Sequence, residues 1–365
     1  MPKSKAPVIA NDLSNQKVTA IAEDTQGHIW IGTFRGLNKN NVHDYHQYFC
    51  TDDSLGLPDN QITHLLRDSK NRFWVGTVNG VCLYTDKDNF RIIPIEADNK
   101  NVRQILEDRN GRIFLNTGFQ LYAYHPREEK ITCVLPEISP GNAFYAQCHI
   151  APDNNLWVMT STGLRCYDPS TLQLKESVAL SGYPYYSYLH NNELWITGNH
   201  TLSIFDTRTH SFKPLPQPIA HNTTLCNADI DYIHPYGNNG LLLNTARHGM
   251  FYYNPGTGSV TRQDENGFPF EMPRFRISRM FTDSQQNLWI GSVDQGYTVC
   301  YHYKERFNND NYLRSELNNK SVVSLSAGKD HKLWISTLMD GIYVYDTKSS
   351  EIRHIDPETF CEQEK

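Results

Sequence analysis

The sequence predicts an all-β protein with a β-propeller fold, and this prediction depends on one repeated phrase. The phrase reads DTQGHIWIGTFRGL at Asp24–Leu37, DSKNRFWVGTVNGV at Asp68–Val81 and DRNGRIFLNTGFQL at Asp108–Leu121. All six tryptophans of the chain stand at the same place in copies of this phrase. The mean step between copies is roughly 43 residues, which is typical of the four-stranded blades of a propeller.

Eight copies of the phrase follow one another, and Phe114 and Leu242 replace the tryptophan in two of them. We therefore predict a single β-propeller domain over residues 1–365, built of eight four-stranded repeats. Either all eight repeats close one ring, or seven close a ring and the eighth begins a second one. The sequence slightly favours eight blades, because every copy supplies a full set of strands. The copies are centred near residues 30, 74, 114, 157, 195, 242, 289 and 334.

The first copy shows how the phrase makes a blade. Val18–Ala22 alternates with a period of two residues, which predicts a strand. Asp24–Gly27 predicts a turn, because Asp bonds nearby backbone and Gly tolerates positive φ. Ile29–Thr33 forms the second strand, a turn at Gly36 follows, and the third and fourth strands begin at Leu37 and Tyr45.

A single blade cannot bury both of its faces, so neighbouring blades must cover them. We expect the tryptophans to lie mostly buried between blades, where each contributes on the order of 2–3 kcal/mol. The glycines at Gly32, Gly76 and Gly291 indicate a close approach of the inner strands. The six tryptophans are Trp30, Trp74, Trp157, Trp195, Trp289 and Trp334.

Composition excludes several classes of function. The net charge of −6 gives no basic surface for nucleic acid or anionic membranes. The sequence contains no run of 18 apolar residues that could span a membrane. The start MPKSKAPVIANDLSN lacks the apolar core of a signal peptide. The chain is therefore expected to be cytosolic, or a mature or excised piece of a longer protein. The eight cysteines form no CxxC pair and are expected to be free thiols, most of them buried.

Three longer segments resemble the two-component-regulator propeller repeats of Bacteroidetes hybrid sensor kinases. They are LSNQKVTAIAEDTQGHIWIGTFRGLNK at Leu13–Lys39, GLPDNQITHLLRDSKNRFWVGTVNGVCLY at Gly56–Tyr84 and ELNNKSVVSLSAGKDHKLWISTLMDGIYVYD at Glu316–Asp346. The resemblance implies a periplasmic sensor module that recognises an oligosaccharide and regulates polysaccharide use. It also implies partners, either further sensor domains or a second copy in a homodimer.

The chain departs from the resembled family in three ways. The family's sensors usually carry two seven-bladed rings and a small β-sandwich, whereas this chain has eight repeats. It shows no membrane helix, kinase or DNA-binding region. We therefore expect a sensing or binding module, either a fragment or a stand-alone derivative, which does not itself insert into the membrane.

In a propeller, the turn between the second and third strands of each blade opens on one face near the central pore. These turns carry polar groups that suit the hydroxyls of a sugar, and Tyr183–Tyr188 adds aromatic rings. An alternative is that Tyr186 and Tyr188 alternate into the blade core, and that the polar turn residues are merely solvated. The candidate ligand-binding residues are Arg35, Asn79, Tyr185, Tyr186, Arg247, His248, Asp294 and Asp340.

No known catalytic motif appears, and the histidines show no metal-ligand spacing, so we predict no enzyme, no cofactor and no metal. Asp294, Asp340 and His248 stay open as candidates for a catalytic acid and base, because they belong to turns on one face. The second functional hypothesis is a protein-interaction propeller without a small ligand. The proline-rich segment Lys213–His221 would then serve as a docking loop.

Overall fold

The computed structural model describes residues 13–40, 45–51, 56–85, 88–138, 146–237, 239–273, 275–302, 316–318 and 320–356. These residues form eight separate antiparallel sheets, which confirms the all-β prediction and its eight repeats. The chain divides into two compact units, residues 1–302 and 303–365. The first unit holds seven sheets and the second holds one.

In each sheet the strands follow one another in chain order, so each sheet is a meander, and seven of the eight have four strands within the described residues. The seventh sheet has three strands within the described residues. The first four sheets comprise β1 (Val18–Glu23), β2 (Ile29–Thr33), β3 (Gly36–Asn40) and β4 (Tyr45–Tyr48); β5 (Ile62–Arg67), β6 (Phe73–Thr77), β7 (Gly80–Tyr84) and β8 (Phe90–Ile93); β9 (Gln104–Glu107), β10 (Ile113–Asn116), β11 (Leu121–His125) and β12 (Lys130–Leu135); and β13 (Gln147–Ile150), β14 (Leu156–Thr160), β15 (Gly163–Tyr167) and β16 (Leu174–Ala179).

The later sheets repeat the same order. They comprise β17 (Pro184–His190), β18 (Glu193–Gly198), β19 (Thr201–Asp206) and β20 (Ser211–Lys213); β21 (Ile230–Tyr236), β22 (Gly240–Thr245), β23 (Gly249–Asn254) and β24 (Ser259–Arg262); β25 (Ile277–Thr282), β26 (Leu288–Ser292) and β27 (Tyr297–Cys300); and, in the second unit, β28 (Val322–Ala327), β29 (Lys332–Thr337), β30 (Ile342–Asp346) and β31 (Ile352–Ile355). Two single-turn helices, α1 (Gln217–Ala220) and α2 (Thr223–Cys226), link the fifth and sixth sheets.

The seven sheets of the first unit close into a ring. Strand β1 of the first sheet packs against β25 and β26 of the seventh. One apolar cluster joins Val18 and Ile31 to Trp289 across this junction. The Gly296 N–H donates to the carbonyl oxygen of Gln16 at 2.8 Å. The ring of the first unit therefore has seven blades, and the slight preference for an eight-bladed ring was wrong.

The eighth repeat forms a sheet of its own in the second unit. Of the two arrangements that the sequence left open, seven blades followed by a further repeat agrees with this division. The single domain over residues 1–365 stays a prediction.

Two glycines show how closely the blades approach. A Cβ atom at Gly32 would lie 2.5 Å from Cγ2 of Ile62, on the inner strand of the next blade. A Cβ atom at Gly291 would lie 2.6 Å from Cγ1 of Val18, across the junction that closes the ring. Any larger residue at these positions would push two inner strands apart, so the predicted close approach is confirmed.

The tryptophans pack as expected in the first unit and differently in the second. Trp30, Trp74, Trp157, Trp195 and Trp289 are buried there. Trp334 in the eighth sheet retains 39% exposure, so the prediction that it would be mostly buried was wrong. Its sheet also exposes Val323 and Leu325 on β28.

Candidate functional site in the central channel

The innermost strands of the seven blades enclose a channel. Each of them contacts the innermost strand of the next blade, and β25 contacts β1 to complete the circle. A cavity of about 480 Å³ lies in this channel and is lined by residues of all seven blades. It reaches Val78 in the β6–β7 turn and Gln61 just before β5, so it opens toward the face that carries these turns.

One register position repeats in every innermost strand, and we call it the channel position. Its residue pairs with the residue two places after the tryptophan position of the second strand, as His64 pairs with Gly76. The channel position is occupied by Ala20, His64, Gln104, Gln147, Tyr186, Tyr232 and Arg279.

Five of the seven channel-position side chains bond to the innermost strand of the following blade, at a residue one place after its own channel position. They fasten adjacent blades through hydrogen bonds that are independent of the apolar packing. The bonds are Ile105 N–H to His64 Nδ1 (3.3 Å), Gln104 Nε2–H to Cys148 O (2.8 Å), Ser187 N–H to Gln147 Oε1 (2.6 Å), Tyr186 O–H to Ile233 O (3.3 Å) and Tyr232 O–H to Met280 O (3.3 Å).

The other two channel positions are Ala20 in the first blade and Arg279 in the seventh, on the two sides of the junction that closes the ring. Ala20 has no polar side-chain group to donate or accept. Arg279 is exposed, and its guanidinium donates to the carbonyl oxygen of Ser278, one residue before it, at 2.7 Å. Among the described residues, Arg279 is thus the only polar channel-position side chain without such a bond to the next blade.

A second layer of residues lies one place before the channel position. A break in strand register precedes the channel position in five blades of the first unit, which is typical of a β-bulge. Thr19, Thr63 and Asp231 come from this layer and line the cavity. The buried Oγ1 of Thr19 and Oδ1 of Asn101, both on the cavity wall, have no hydrogen-bond partner among the described residues. Such atoms can serve a polar ligand.

The described residues of the cavity wall include more positively charged than negatively charged side chains. Arg103 and Arg279 line it together with one carboxylate, that of Asp231. Burial raises the pKa of Asp231 above its usual range, although the Asn244 amide that donates to it at 2.6 Å opposes this effect. Burial, helped by the Arg279 guanidinium, lowers the pKa of His64 to about 4, so this imidazole is neutral near pH 7.

Aromatic rings form part of the same wall. Tyr186 and Tyr232 face each other with ring centroids 5.6 Å apart and a tilt of 33°. Both residues line the cavity, although their hydroxyl groups are used in bonds between blades. Tyr186 therefore packs between blades and also borders the cavity, and its contact with a ligand stays a prediction.

A cleft of about 460 Å³ between the sixth and seventh blades adjoins the channel. It shares Asp231 with the channel and is lined by the predicted site residues Arg247 and Asp294. Ser292 donates through its hydroxyl to Oδ1 of Asp294 at 3.1 Å, and this bond holds the turn that carries Asp294.

The remaining candidates are not brought into these two cavities. Arg35, Asn79 and His248 are exposed on their turns, each with its backbone N–H bonded to the threonine that precedes the turn. Tyr185 is half-buried and lines neither cavity. Asp340 lies in the second unit, where Lys320 pairs with it at 3.3 Å.

Sequence reasoning missed most of the channel positions, including His64, Gln104, Gln147 and Arg279. Their spacing was nevertheless visible, since each of these four residues stands ten places before the tryptophan position of its blade. The residue type changes from blade to blade, so the repeat itself did not identify them.

Among the described residues, no group of His, Cys, Asp or Glu side chains is arranged to hold a metal ion. In the same part of the chain, no helix has the length and apolar character needed to cross a membrane. The described cysteines are free thiols, but only Cys82, Cys148 and Cys166 are buried, fewer than expected. Cys361 lies outside the described residues.

Comparison with solved structures relates the fold to propellers of known context. The extracellular domain of a hybrid two component system from B. thetaiotaomicron is similar with a TM-score of 0.66 at 20% identity, over 94% of this chain and 48% of that one. The extracellular domain of a one component system from the same organism gives 0.62 at 20% identity, over 96% and 47%. Virginiamycin B lyase from Staphylococcus aureus gives 0.61 at 14% identity, over 80% and 98%.

At these identities the similarity concerns the fold. The chain spans about half the length of the two extracellular domains, and no curated protein matches it. Residues 12–35 and 56–79 match the family model of the two component regulator propeller. The resemblance found in the sequence is thus confirmed for the first two of the three segments, and these carry two-component-regulator propeller repeats.

Proposed function

We propose that this chain is a periplasmic ligand-binding module of a sensor, and that it recognises an oligosaccharide to regulate polysaccharide use. The observation that carries the proposal is the channel cavity of the first unit, with polar side chains from all seven blades around it. Ligand sites in proteins are concave and place a few polar groups among apolar and aromatic ones. The extracellular location of the similar domains supports the periplasmic assignment.

The chemistry of the wall suits a sugar. Sugars present hydroxyl groups that donate and accept, and Thr19 and Asn101 offer buried oxygen atoms without a partner among the described residues. The rings of Tyr186 and Tyr232 offer an apolar surface for the C–H face of a pyranose. The channel and the adjoining cleft share Asp231, so an oligosaccharide of several units could follow both.

The cleft adds the contacts that the sequence predicts. Arg247 and Asp294 would bind sugar units outside the channel, and the exposed turn residues Arg35, Asn79 and His248 would extend the surface. Tyr185 and Asp340 stay part of the proposed set. Their contribution is the least direct, because Tyr185 lines neither cavity and Asp340 belongs to the second unit.

A protein-interaction propeller is the alternative. Its predicted docking loop, Lys213–His221, includes α1, whose Ile219 is buried in the apolar cluster between the fifth and sixth blades. This packing leaves less of the loop available to a partner than the sequence suggests. Further sensor domains or a second copy of the chain would be partners under either hypothesis.

Calorimetry of the chain against a panel of plant, host and microbial oligosaccharides tests the proposal. We expect one class of glycan to bind, and Arg247→Ala to weaken that binding while thermal stability is retained. Arg91→Ala, at an exposed residue on the outer strand β8, serves as the control. If no glycan binds and a stable protein partner is captured on the channel face, the interaction module is correct. If glycan binding survives Arg247→Ala unchanged, Arg247 is not part of the site.

A further inference from the structure

The seven channel positions do not contribute equally to a ligand site. Five channel-position side chains each make a hydrogen bond to the next blade: those of His64, Gln104, Gln147, Tyr186 and Tyr232. A ligand that recruited the bonded atom of one of these side chains would have to break a bond between blades. A new contact that costs an existing hydrogen bond yields little net affinity.

Arg279 differs from these five residues. It is exposed, lines the cavity, and its recorded hydrogen bond goes to the adjacent Ser278 carbonyl, which needs only one of its five N–H donors. Arg279 makes no ion pair with a carboxylate among the described residues. The carboxylate of Asp231, which also lines the cavity, accepts a hydrogen bond from the Asn244 amide. Arg279 therefore presents a guanidinium to the channel without an anionic partner in the described structure.

The surroundings of Arg279 favour an anion of a particular kind. Among the described residues of the cavity wall, the Arg279 guanidinium lies in the same cavity as the Asp231 carboxylate, and the His64 imidazole is neutral near pH 7. Tyr186 and Tyr232 provide rings in the same cavity. A guanidinium binds a carboxylate with two parallel N–H···O bonds, which are stronger than bonds between neutral groups.

We propose that Arg279 makes the channel selective for acidic oligosaccharides, and that it binds the carboxylate of a uronic acid unit whose ring lies against Tyr186 and Tyr232. This inference rests on the proposed function and narrows its ligand class. It concerns a residue outside the set predicted from the sequence.

The test compares three probes that differ in charge: a galacturonic acid trisaccharide, its methyl ester and the neutral galactose trisaccharide. Calorimetry with the full chain should show the acid binding about tenfold or more tightly than the ester, because a charged hydrogen bond contributes about 1.5–3 kcal/mol. Arg279→Gln should remove this preference and leave affinity for the neutral sugar within about twofold. Arg279→Lys, which keeps the charge but loses the planar fork, should retain part of the preference.

Arg262→Gln is the matched control, since Arg262 is a half-buried arginine on the outer strand β24 that pairs with Asp264 and lines neither cavity. It should bind all three probes as the unmodified chain does. Thermal melting of both glutamine variants establishes that they are folded. Equal affinity for the acid and the ester, or an unchanged preference in Arg279→Gln, would overturn the inference while the oligosaccharide function stands. Failure of every glycan, neutral or acidic, would instead count against the proposed function itself.

Discussion

The indole Nε1–H of Trp74 donates a 2.8 Å hydrogen bond to Oδ2 of Asp68, six residues earlier in the chain, and both side chains are buried. Oδ1 of the same carboxylate accepts from the backbone N–H groups of Lys70 and Arg72. One aspartate thus closes the turn between two strands and fixes the tryptophan that packs against the next blade. Asp24 and Asp283 make the equivalent bonds to Trp30 and Trp289.

Asp68→Ala should destabilise the protein by about 1–3 kcal/mol, because it leaves the Trp74 indole and turn N–H groups without their acceptor. Urea denaturation followed by tryptophan fluorescence measures the effect. Asp98→Ala, at an exposed aspartate in the segment between β8 and β9, should change the free energy of unfolding by less than about 0.5 kcal/mol. Equal effects of the two changes would show that the bond to the indole contributes no stability.

The fourth blade lacks this aspartate and offers the reverse experiment. Ala151 occupies the place of Asp68, with the same two backbone bonds in its turn, and the buried Nε1 of Trp157 has no partner among the described residues. Ala151→Asp should supply that acceptor and raise stability by about 1 kcal/mol. Ala151→Val adds bulk without an acceptor and should destabilise. A lower urea midpoint for Ala151→Asp than for the parent would contradict the expectation.

The tryptophan position should matter more in the ring than in the eighth sheet. Trp30→Ala removes a fully buried side chain and should cost about 3–5 kcal/mol, seen as loss of soluble protein or a lower melting temperature. Trp334→Ala should cost clearly less, because Trp334 retains 39% exposure. A larger loss for Trp334→Ala would mean that the second unit is the more sensitive of the two.

Acid should weaken the ring through a buried histidine. Burial lowers the pKa of His234 from its ordinary 6.5 to about 4. Between these values the unfolded chain binds a proton that the folded chain does not. His234 therefore does not lower the free energy of unfolding above about pH 6.5. On acidification toward about pH 4, it lowers that free energy by about 1.4 kcal/mol per pH unit.

His234→Gln keeps a polar group beside the Thr282 hydroxyl, which lies 2.9 Å from His234 Nε2, but does not titrate. Stability measured by urea denaturation across this pH range should decline less steeply in the variant than in the parent. His221→Gln, at an exposed histidine, is the control and should leave the slope unchanged. Parallel slopes for all three proteins would exclude His234 as a source of acid sensitivity.

The repeats could be predicted from the sequence because the pattern of Asp68 and Trp74 has a fixed physical cause: one carboxylate must reach one indole. The number of blades in the ring could not be predicted from the sequence, because closure of the ring depends on whether Val18 packs against Gly291 or against a later repeat. Most of the channel residues were missed for a different reason. Their chemistry varies from His64 to Gln104 to Arg279, so only the register, shifted by the bulges, identifies them.

The bonds between innermost strands limit how such a propeller could acquire a new ligand. Where a side chain such as Gln104 fastens one blade to the next, a change that suits a ligand also loosens the assembly. The side chains of Ala20 in the first blade and Arg279 in the seventh do not bond to the next blade, so a change at either position need not loosen the assembly. Divergence in what the channel recognises should therefore concentrate at these two positions and at the tips of the surrounding turns, while the other five vary only among residues that can still reach their neighbour.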